Sequence, residues 1–544
     1  MKTILLFLTL TTTLLFSSPE KSLVRVNSTL QAYNPAQPWE KTTPVSRRGL
    51  GCLIKGAGVL TTANMAANSI FLELESADST KTVPAKVLAI DYEANLALLG
   101  PETDPGFLEN LTPVTLAAPV TPGETLIIYQ VEDNGTAFPT EATVRSMELL
   151  PTQTTGSLFL SYLAKASMQD SASSYTLPAF KDGKLLGILT SYDAKDQLSE
   201  IIAIDVIQAF LEDAKNAPYQ GFPSLGVAFT TTEDPHFRKF LNLPEASGGL
   251  YLSRILPGGS ADQVGIREGD VILSIAGNDL DRRGNYLDPR YGTLYWTHLI
   301  SGAHPTGTKI ELKLLRDGKP LTKSVTLSRS PEPLVPRRLY DKAPPYLVKG
   351  GLIFQELSQD LLRAYGKNWT TSAPLNLLDV LNNPADYEEN RRRVVVLTRV
   401  IPTAATVGYE SAGSRIITAV NDRKIADLAD LIQALDKNPE NGIHKIEIDD
   451  APYILYLDQA ISDKVDQQFL QSGLPALSRL ENSPQDKPQT SQKSEADNQA
   501  LKNPLGNQPE QSPPGKNPEE DEGSEPEIDP ESPDGDEVQP PEEG

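Results

Sequence analysis

The sequence predicts a mainly β protein of several domains with an unfolded tail. Three observations predict it. Short apolar runs separated by turn residues recur between residues 49 and 200, the spacing of a sandwich or barrel. From Phe222 to residue 458 a glycine-punctuated β pattern carries isolated helical stretches. After Asn482 there is no aromatic residue, and 12 prolines appear, so too little apolar area remains to fold. At 544 residues the chain is too long for one core; length alone suggests about three or four domains.

Taken in order, Lys2 precedes the apolar run Ile4–Leu10, then Leu14-Leu15-Phe16 and Ser17-Ser18. A charged start, a short apolar centre and a small-residue exit form the layout of a secretory signal peptide over residues 1–18. Residues 19–45 are polar, with Pro35, Pro38 and Pro44, and read as an extended arm. Residues 46–217 form the first domain. Strands are expected at 49–54, 59–62, 70–74, 83–91, 95–99, 125–131, 142–149, 157–163 and 185–191. A helix over 204–216 closes the domain, since Val206, Phe210 and Ala214 share one face. A second domain covers 218–330, with one helix near 294–301, and a third covers 346–460, with a helix at 428–435. The linker 328–345 holds five prolines. Residues 483–544 are the acidic, proline-rich tail.

Net charge is -23, which argues against a nucleic-acid binder, since such a protein presents a basic surface. The tail carries 17 acidic and 4 basic residues, so much of that charge is local. The single cysteine, Cys52, excludes an intrachain disulfide and reads as a small buried apolar residue. No zinc-ligand spacing, phosphate-binding glycine loop or calcium loop occurs, so neither a metal nor a cofactor is expected. No later segment is apolar enough to span a membrane.

The chemistry-bearing segments lie in the first domain. Gly49-Leu50-Gly51-Cys52-Leu53-Ile54, Val59-Leu60-Thr61-Thr62-Ala63-Asn64-Met65-Ala66, Ala85-Lys86-Val87-Leu88-Ala89-Ile90-Asp91 and Asn95-Leu96-Ala97-Leu98-Leu99 resemble the N-terminal barrel of the HtrA/Deg family of exported serine proteases. The resemblance implies a trypsin-like double β-barrel. It places Asn64 at the catalytic histidine and Asn95 at the aspartate that orients it. Ser173-Ser174-Tyr175-Thr176-Leu177-Pro178-Ala179-Phe180 resembles the nucleophile loop, with Tyr175 at the serine and Thr176 and Leu177 at the two glycines that shape the oxyanion pocket. No histidine precedes His236, and an asparagine amide takes up no proton near neutral pH. The expectation is therefore a degenerate triad and no catalytic residue. An alternative keeps activity through a displaced Ser173 or Ser174 with Lys165 or Lys181 as base.

Leu256-Pro257-Gly258-Gly259-Ser260-Ala261 through Gly269-Asp270-Val271-Ile272 closely resembles the core of a PDZ domain, and Ser224-Leu225-Gly226-Val227 its carboxylate-binding loop. Backbone N–H groups there receive a peptide C-terminus while the peptide adds a strand to the sheet edge. The resemblance implies peptide contacts at Leu225, Gly226 and Val227, with His298 on the helix bordering the groove. Residues 346–458, including Gly350-Gly351-Leu352-Ile353-Phe354 and Ile416–Ile425, resemble the second PDZ domain of the plant-type Deg branch, which implies contacts at Gly351, Leu352 and Ile353.

The expected function is binding of protein C-termini or unfolded segments by an exported pseudoprotease, periplasmic or extracellular. It would act as a chaperone, scaffold or regulator, as a homo-oligomer or with an active paralogue. An active serine endopeptidase is the alternative.

Overall fold

The computed structural model describes residues 18–480, apart from 133, 169–175, 217, 440 and 450–453. The expected signal segment up to residue 17 and the expected tail lie outside the described residues.

Two closed six-stranded barrels come first. Strands Leu23–Leu30, Val45–Ile54, Gly58–Thr61, Leu96–Pro101, Thr82–Asp91 and Ser69–Ser76 close the first, in that order. Strands Ala137–Pro151, Leu158–Ala166, Leu198–Ala203, Lys184–Asp193, Leu177–Lys181 and Thr125–Val131 close the second. The two-residue period is plain in Ala137–Pro151, where Thr140, Ala142 and Val144 are buried and Glu141, Thr143 and Arg145 are exposed. The helix Ile204–Asp213 packs Val206, Ile207, Phe210 and Leu211 inward, the one-face spacing of an amphipathic helix.

The extended arm expected over 19–45 is corrected by this topology. Leu23–Leu30 is the strand that closes the first barrel, pairing with Val45–Ile54 on one side and Ser69–Ser76 on the other. Leu23, Val24 and Val26 are fully buried. Arg25, also buried, pairs with Glu75 at 3.0 Å and donates to the Glu132 carbonyl of the second barrel. The prolines that suggested an arm belong to a hairpin, Tyr33–Asn34 with Gln37–Lys41.

That hairpin reaches the third domain. Trp39 meets Tyr346 edge-on at 5.7 Å, Gln355 donates to the Pro35 carbonyl at 3.0 Å, and the Arg479 guanidinium lies over both Tyr33 and Tyr346. The linker between the second and third domains also returns to the barrels. Tyr340 stacks on Tyr92 at 4.6 Å and donates to the Thr154 carbonyl, and Arg337 donates to Ser157. Asp341 and Asn68 exchange two hydrogen bonds. The linker is a strap docked across two connections of the first barrel and one of the second.

The second domain is an antiparallel sheet in the order Val227–Thr231, Leu250–Ile255, Val271–Ile275, Lys309–Arg316, Lys319–Thr326. Its Gly-Asp turn has a clear purpose: Asp270, 1 % exposed, holds Arg316 bidentately at 2.6 and 2.7 Å. The helix expected near 294–301 is corrected. A hairpin, Asn285–Asp288 with Gly292–Tyr295, fills the start of that stretch, and only one helical turn follows, His298–Gly302. The β-branched and aromatic residues Thr293, Tyr295 and Trp296 favour strand there.

The third domain repeats the sheet, in the order Ile454–Asp458, Ile443–Ile448, Arg415–Val420, Val395–Val400, Leu352–Glu356. The expected helix is present as Leu428–Leu435, capped by the Asp427 side chain. The domain continues past residue 460 through the helix Gln459–Gln471 and the short strand Ser478–Arg479.

Candidate functional site: an inter-barrel amide pair and two sheet edges

The first candidate site lies between the barrels. Thr62 ends one strand and leads into the short helix Ala63–Ala66, which carries Asn64. Asn95 follows the strand Thr82–Asp91 in a left-handed conformation, φ 55°, which asparagine tolerates better than most residues. Its side chain is 2 % exposed, and its amide oxygen accepts the Asn64 backbone N–H at 3.0 Å. The two positions that the sequence pairs are thus in direct contact.

The Asn64 side chain continues the chain of amides. Its Nδ2 donates to Gln153 Oε1 at 3.1 Å, and Gln153 Nε2 donates to the Thr190 carbonyl at 2.8 Å. Gln153 therefore spans from the first barrel to a strand of the second. Sequence reasoning missed it, because one glutamine in a threonine-rich turn has no periodicity to reveal it. Thr176 also reaches across, its hydroxyl 3.0 Å from that of Thr62 and its carbonyl accepting the Leu50 N–H. Tyr175, Ser173 and Ser174 lie outside the described residues.

The side chains of Asn64, Asn95, Gln153, Thr62 and Thr176 are neutral amides and hydroxyls, which take up no proton near neutral pH, and Arg47, which donates to the Asn64 carbonyl at 3.2 Å, is a permanent cation and no base. Both lysines of the alternative mechanism have other partners: Lys165 donates to the Asp196 carbonyl, and Lys181 pairs with Glu124 at 2.7 Å. Cys52 is fully buried, and burial pushes its thiol well above the usual range, so it stays protonated. Among the described residues no three His, Cys, Asp or Glu side chains gather as metal ligands, and no helix is long and apolar enough to cross a membrane.

The second candidate is the edge of the second domain. Val227–Thr231 is the terminal strand of its sheet. The preceding loop is held from behind: Ala261 N–H donates to Leu225 O, Leu256 N–H to Gly226 O, and Gly226 N–H to Ser224 Oγ. The Leu256–Gly226 bond makes the opposed pair Val227 and Ile255 a non-hydrogen-bonded one, so the Val227 N–H and carbonyl face the unpaired edge. Gly226 has φ 70°, and a Cβ there would lie 3.1 Å from Gly259 Cα. Leu225 is buried beneath the loop. Phe229 stands against Trp296, ring centres 5.4 Å apart, as the apolar wall along the strand.

His298 lies apart from that wall. It is buried, its Nδ1 is 2.6 Å from the Tyr286 hydroxyl, and its ring packs so close to Gly302 that a Cβ there would sit 2.4 Å from it. Tyr291, edge-on to His298, donates to Asp205 at the start of the helix Ile204–Asp213. His298 thus belongs to the junction with the second barrel, and the expected groove-bordering helix is replaced by the hairpin. Burial holds its imidazole below the ordinary histidine range.

The peptide contacts expected at Gly351, Leu352 and Ile353 are corrected. The strand Tyr346–Lys349 pairs with Leu352–Glu356 along the edge corresponding to the open one of the second domain, in the register Tyr346↔Gln355 to Lys349↔Leu352. Gly350 and Gly351, φ 62° and 107°, form the two-residue turn between them, as tight hairpins require. The Gly350 N–H is itself taken by the buried Asp466 carboxylate at 2.6 Å, and Lys349 pairs with that carboxylate at 3.0 Å. Leu352 and Ile353 are buried. Edge and anion are both supplied by the chain itself. The same Gly-Gly pattern serves a carboxylate loop or a hairpin, and the sequence does not distinguish them.

Two closed barrels with paired side-chain positions between them, followed by two such sheets, define the class: a trypsin-like double barrel bearing PDZ domains. Residues 225–284 and 335–473 each match a family model described as a PDZ domain. The putative protease Do-like 3, mitochondrial, of Arabidopsis thaliana is 24% identical over 455 residues, covering 83% of this chain and 78% of that protein. Protease Do-like 2, chloroplastic, of the same plant is 25% identical over 424 residues, covering 76% and 68%. The solved structure of the HtrA-type protease AlgW with decapeptide covers 58% of this chain and 97% of its own, at 17% identity and a TM-score of 0.44, an overlap too low to carry an argument. The two PDZ domains and the similarity to these Do-like proteases support a place in the HtrA/Deg family.

Proposed function

We propose that this chain is a pseudoprotease that captures protein C-termini or unfolded segments at the edge of its first PDZ domain. It serves as a chaperone, scaffold or regulator in protein quality control of the cell envelope. The observation that carries the reading is the Asn64–Asn95 contact. Side chains stand where a base and its orienter belong, and neither can accept the proton that nucleophilic attack must shed. The open strand Val227–Thr231 with its supported loop gives binding a place to occur. The signal-like segment over 1–18 supports export, to the periplasm or outside the cell. A homo-oligomer, or a heteromer with an active paralogue, is in keeping with the family resemblance.

Incubation with an unfolded protein substrate and a fluorophosphonate probe tests the reading. No cleavage and no labelling are expected. Cleavage or labelling that Ser173→Ala or Ser174→Ala abolishes overturns it in favour of a displaced active site.

A further inference from the structure

One unassigned space among the described residues lies neither between the barrels nor at a PDZ edge. A cavity of about 320 Å³ lies where the N-terminal hairpin, the strap and the second PDZ domain meet. That is the lower end of the range for small-molecule sites. Tyr33, Pro35, Pro344, Leu357 and Leu361 give it an apolar wall.

Most of the polar groups around it already have partners. Gln355 donates to the Pro35 carbonyl, Asp360 accepts the Leu339 N–H, and Ser358 accepts the Leu361 N–H. Arg393 pairs with Glu332 and Glu356. Arg338 differs. It lines the cavity, yet its one partner is the Tyr340 hydroxyl at 3.4 Å, and no carboxylate of the described residues meets it. A guanidinium at the mouth of an apolar space suits a ligand with a hydrocarbon body and one anionic head, because an arginine and a carboxylate match fork to fork.

We propose that this cavity binds a small apolar carboxylate, its body against Tyr33, Leu357 and Leu361 and its carboxylate on Arg338. A free organic acid and an apolar C-terminal residue of a protein share this chemistry. Either ligand would touch the hairpin, the strap and the second PDZ domain at once, so occupancy stabilises their docked arrangement.

Calorimetric titration of the full chain with 4-phenylbutyrate, 4-phenylbutanol and a pentapeptide ending in leucine tests the proposal. The peptide is titrated in a Gly226→Val background, which removes the separate contribution of the first PDZ edge. Saturable binding of the acid is expected, at least tenfold tighter than the alcohol. Ala32→Trp, an exposed position at the cavity wall, abolishes it, and Arg338→Gln, also exposed, brings acid and alcohol to the same affinity. The same sensitivities for the peptide but not the acid assign the ligand to protein C-termini. Binding of neither, equal binding of acid and alcohol to the native chain, or indifference to both substitutions overturns the proposal. Loss of the first-domain edge leaves all these outcomes readable.

Discussion

Asn95 holds Asn64 through the backbone, its side-chain oxygen 3.0 Å from the Asn64 nitrogen, while the Asn64 side chain turns to Gln153. A carboxylate at position 95 would keep the accepted bond, but at 2 % exposure it would carry a largely desolvated charge. Asn95→Asp is therefore expected to cost about 1–3 kcal/mol at neutral pH. Adding Asn64→His supplies an imidazole within reach, and the double variant should recover about 1 kcal/mol or more of that loss. Urea unfolding of the two single variants and the double variant measures the coupling. Fluorophosphonate labelling of the double variant should stay absent, because position 175 is still tyrosine.

The two PDZ domains should respond oppositely to the same glycine substitution. Gly226→Val places a β-branched residue at φ 70° and 3.1 Å from Gly259 Cα, a strain of about 1–3 kcal/mol. Peptide affinity measured by fluorescence anisotropy should fall more than about tenfold, since the loop must open to relieve the contact. Gly351→Val meets the Ile401 carbonyl at 2.7 Å with φ 107° and should lower the melting temperature while leaving affinity at the first domain unchanged. Equal loss of affinity in both variants would contradict the assignment of one open and one self-filled edge.

Much of this architecture is legible in the sequence where periodicity is strong. Nine of the twelve barrel strands, the closing helix and Leu428–Leu435 follow from short apolar runs between turns or one-face spacing, while Leu23–Leu30, Leu177–Lys181 and Leu198–Ala203 do not, and Asn64 and Asn95 meet as their matched segments imply. What escaped depends on partners far away in the chain. Leu23–Leu30 carries only a few apolar residues, and prolines of the next hairpin mask it; its strand character comes from neighbours on both sides. Gly350-Gly351 has the composition of a carboxylate loop, but Tyr346–Lys349 and Asp466, the latter more than 100 residues on, occupy it. Gln153 becomes meaningful only when Asn64 and Thr190 arrive on either side.

The Asp270–Arg316 pair anchors the Gly-Asp turn of the first PDZ domain to the strand Lys309–Arg316, with the carboxylate 1 % and the guanidinium 25 % exposed. Asp270 also accepts the Arg267 N–H at 2.9 Å. Asp270→Ala leaves the Arg267 N–H without its partner and Arg316 with only the Gly265 carbonyl at 3.0 Å, and is expected to cost about 1–3 kcal/mol. Asp270→Asn keeps one acceptor for the Arg267 N–H and should cost less. Chemical denaturation followed by tryptophan fluorescence distinguishes them, since Trp296 lies in the same domain. Equal costs would mean that the turn's own hydrogen bond contributes nothing.

The junction of the first PDZ domain with the second barrel should weaken in mild acid. His298 is buried between Tyr286, Tyr291 and Gly302, and burial lowers its proton affinity, opposed in part by Asp288 and Asp205. The unfolded chain, with an ordinary histidine value of about 6.5, takes up its proton first as pH falls. Stability from this group is therefore complete above about pH 6.5 and is lost below it, at up to about 1.4 kcal/mol per pH unit, until the folded imidazole is also protonated. His304, lowered by burial in the same way, adds to the slope. Thermal unfolding of the native chain between pH 7.5 and 5 should show this decline. His298→Gln removes the titrating ring and should flatten the curve, at the price of lower stability at pH 7.5. An unchanged slope in that variant would show that the imidazole is already free to charge in the folded protein.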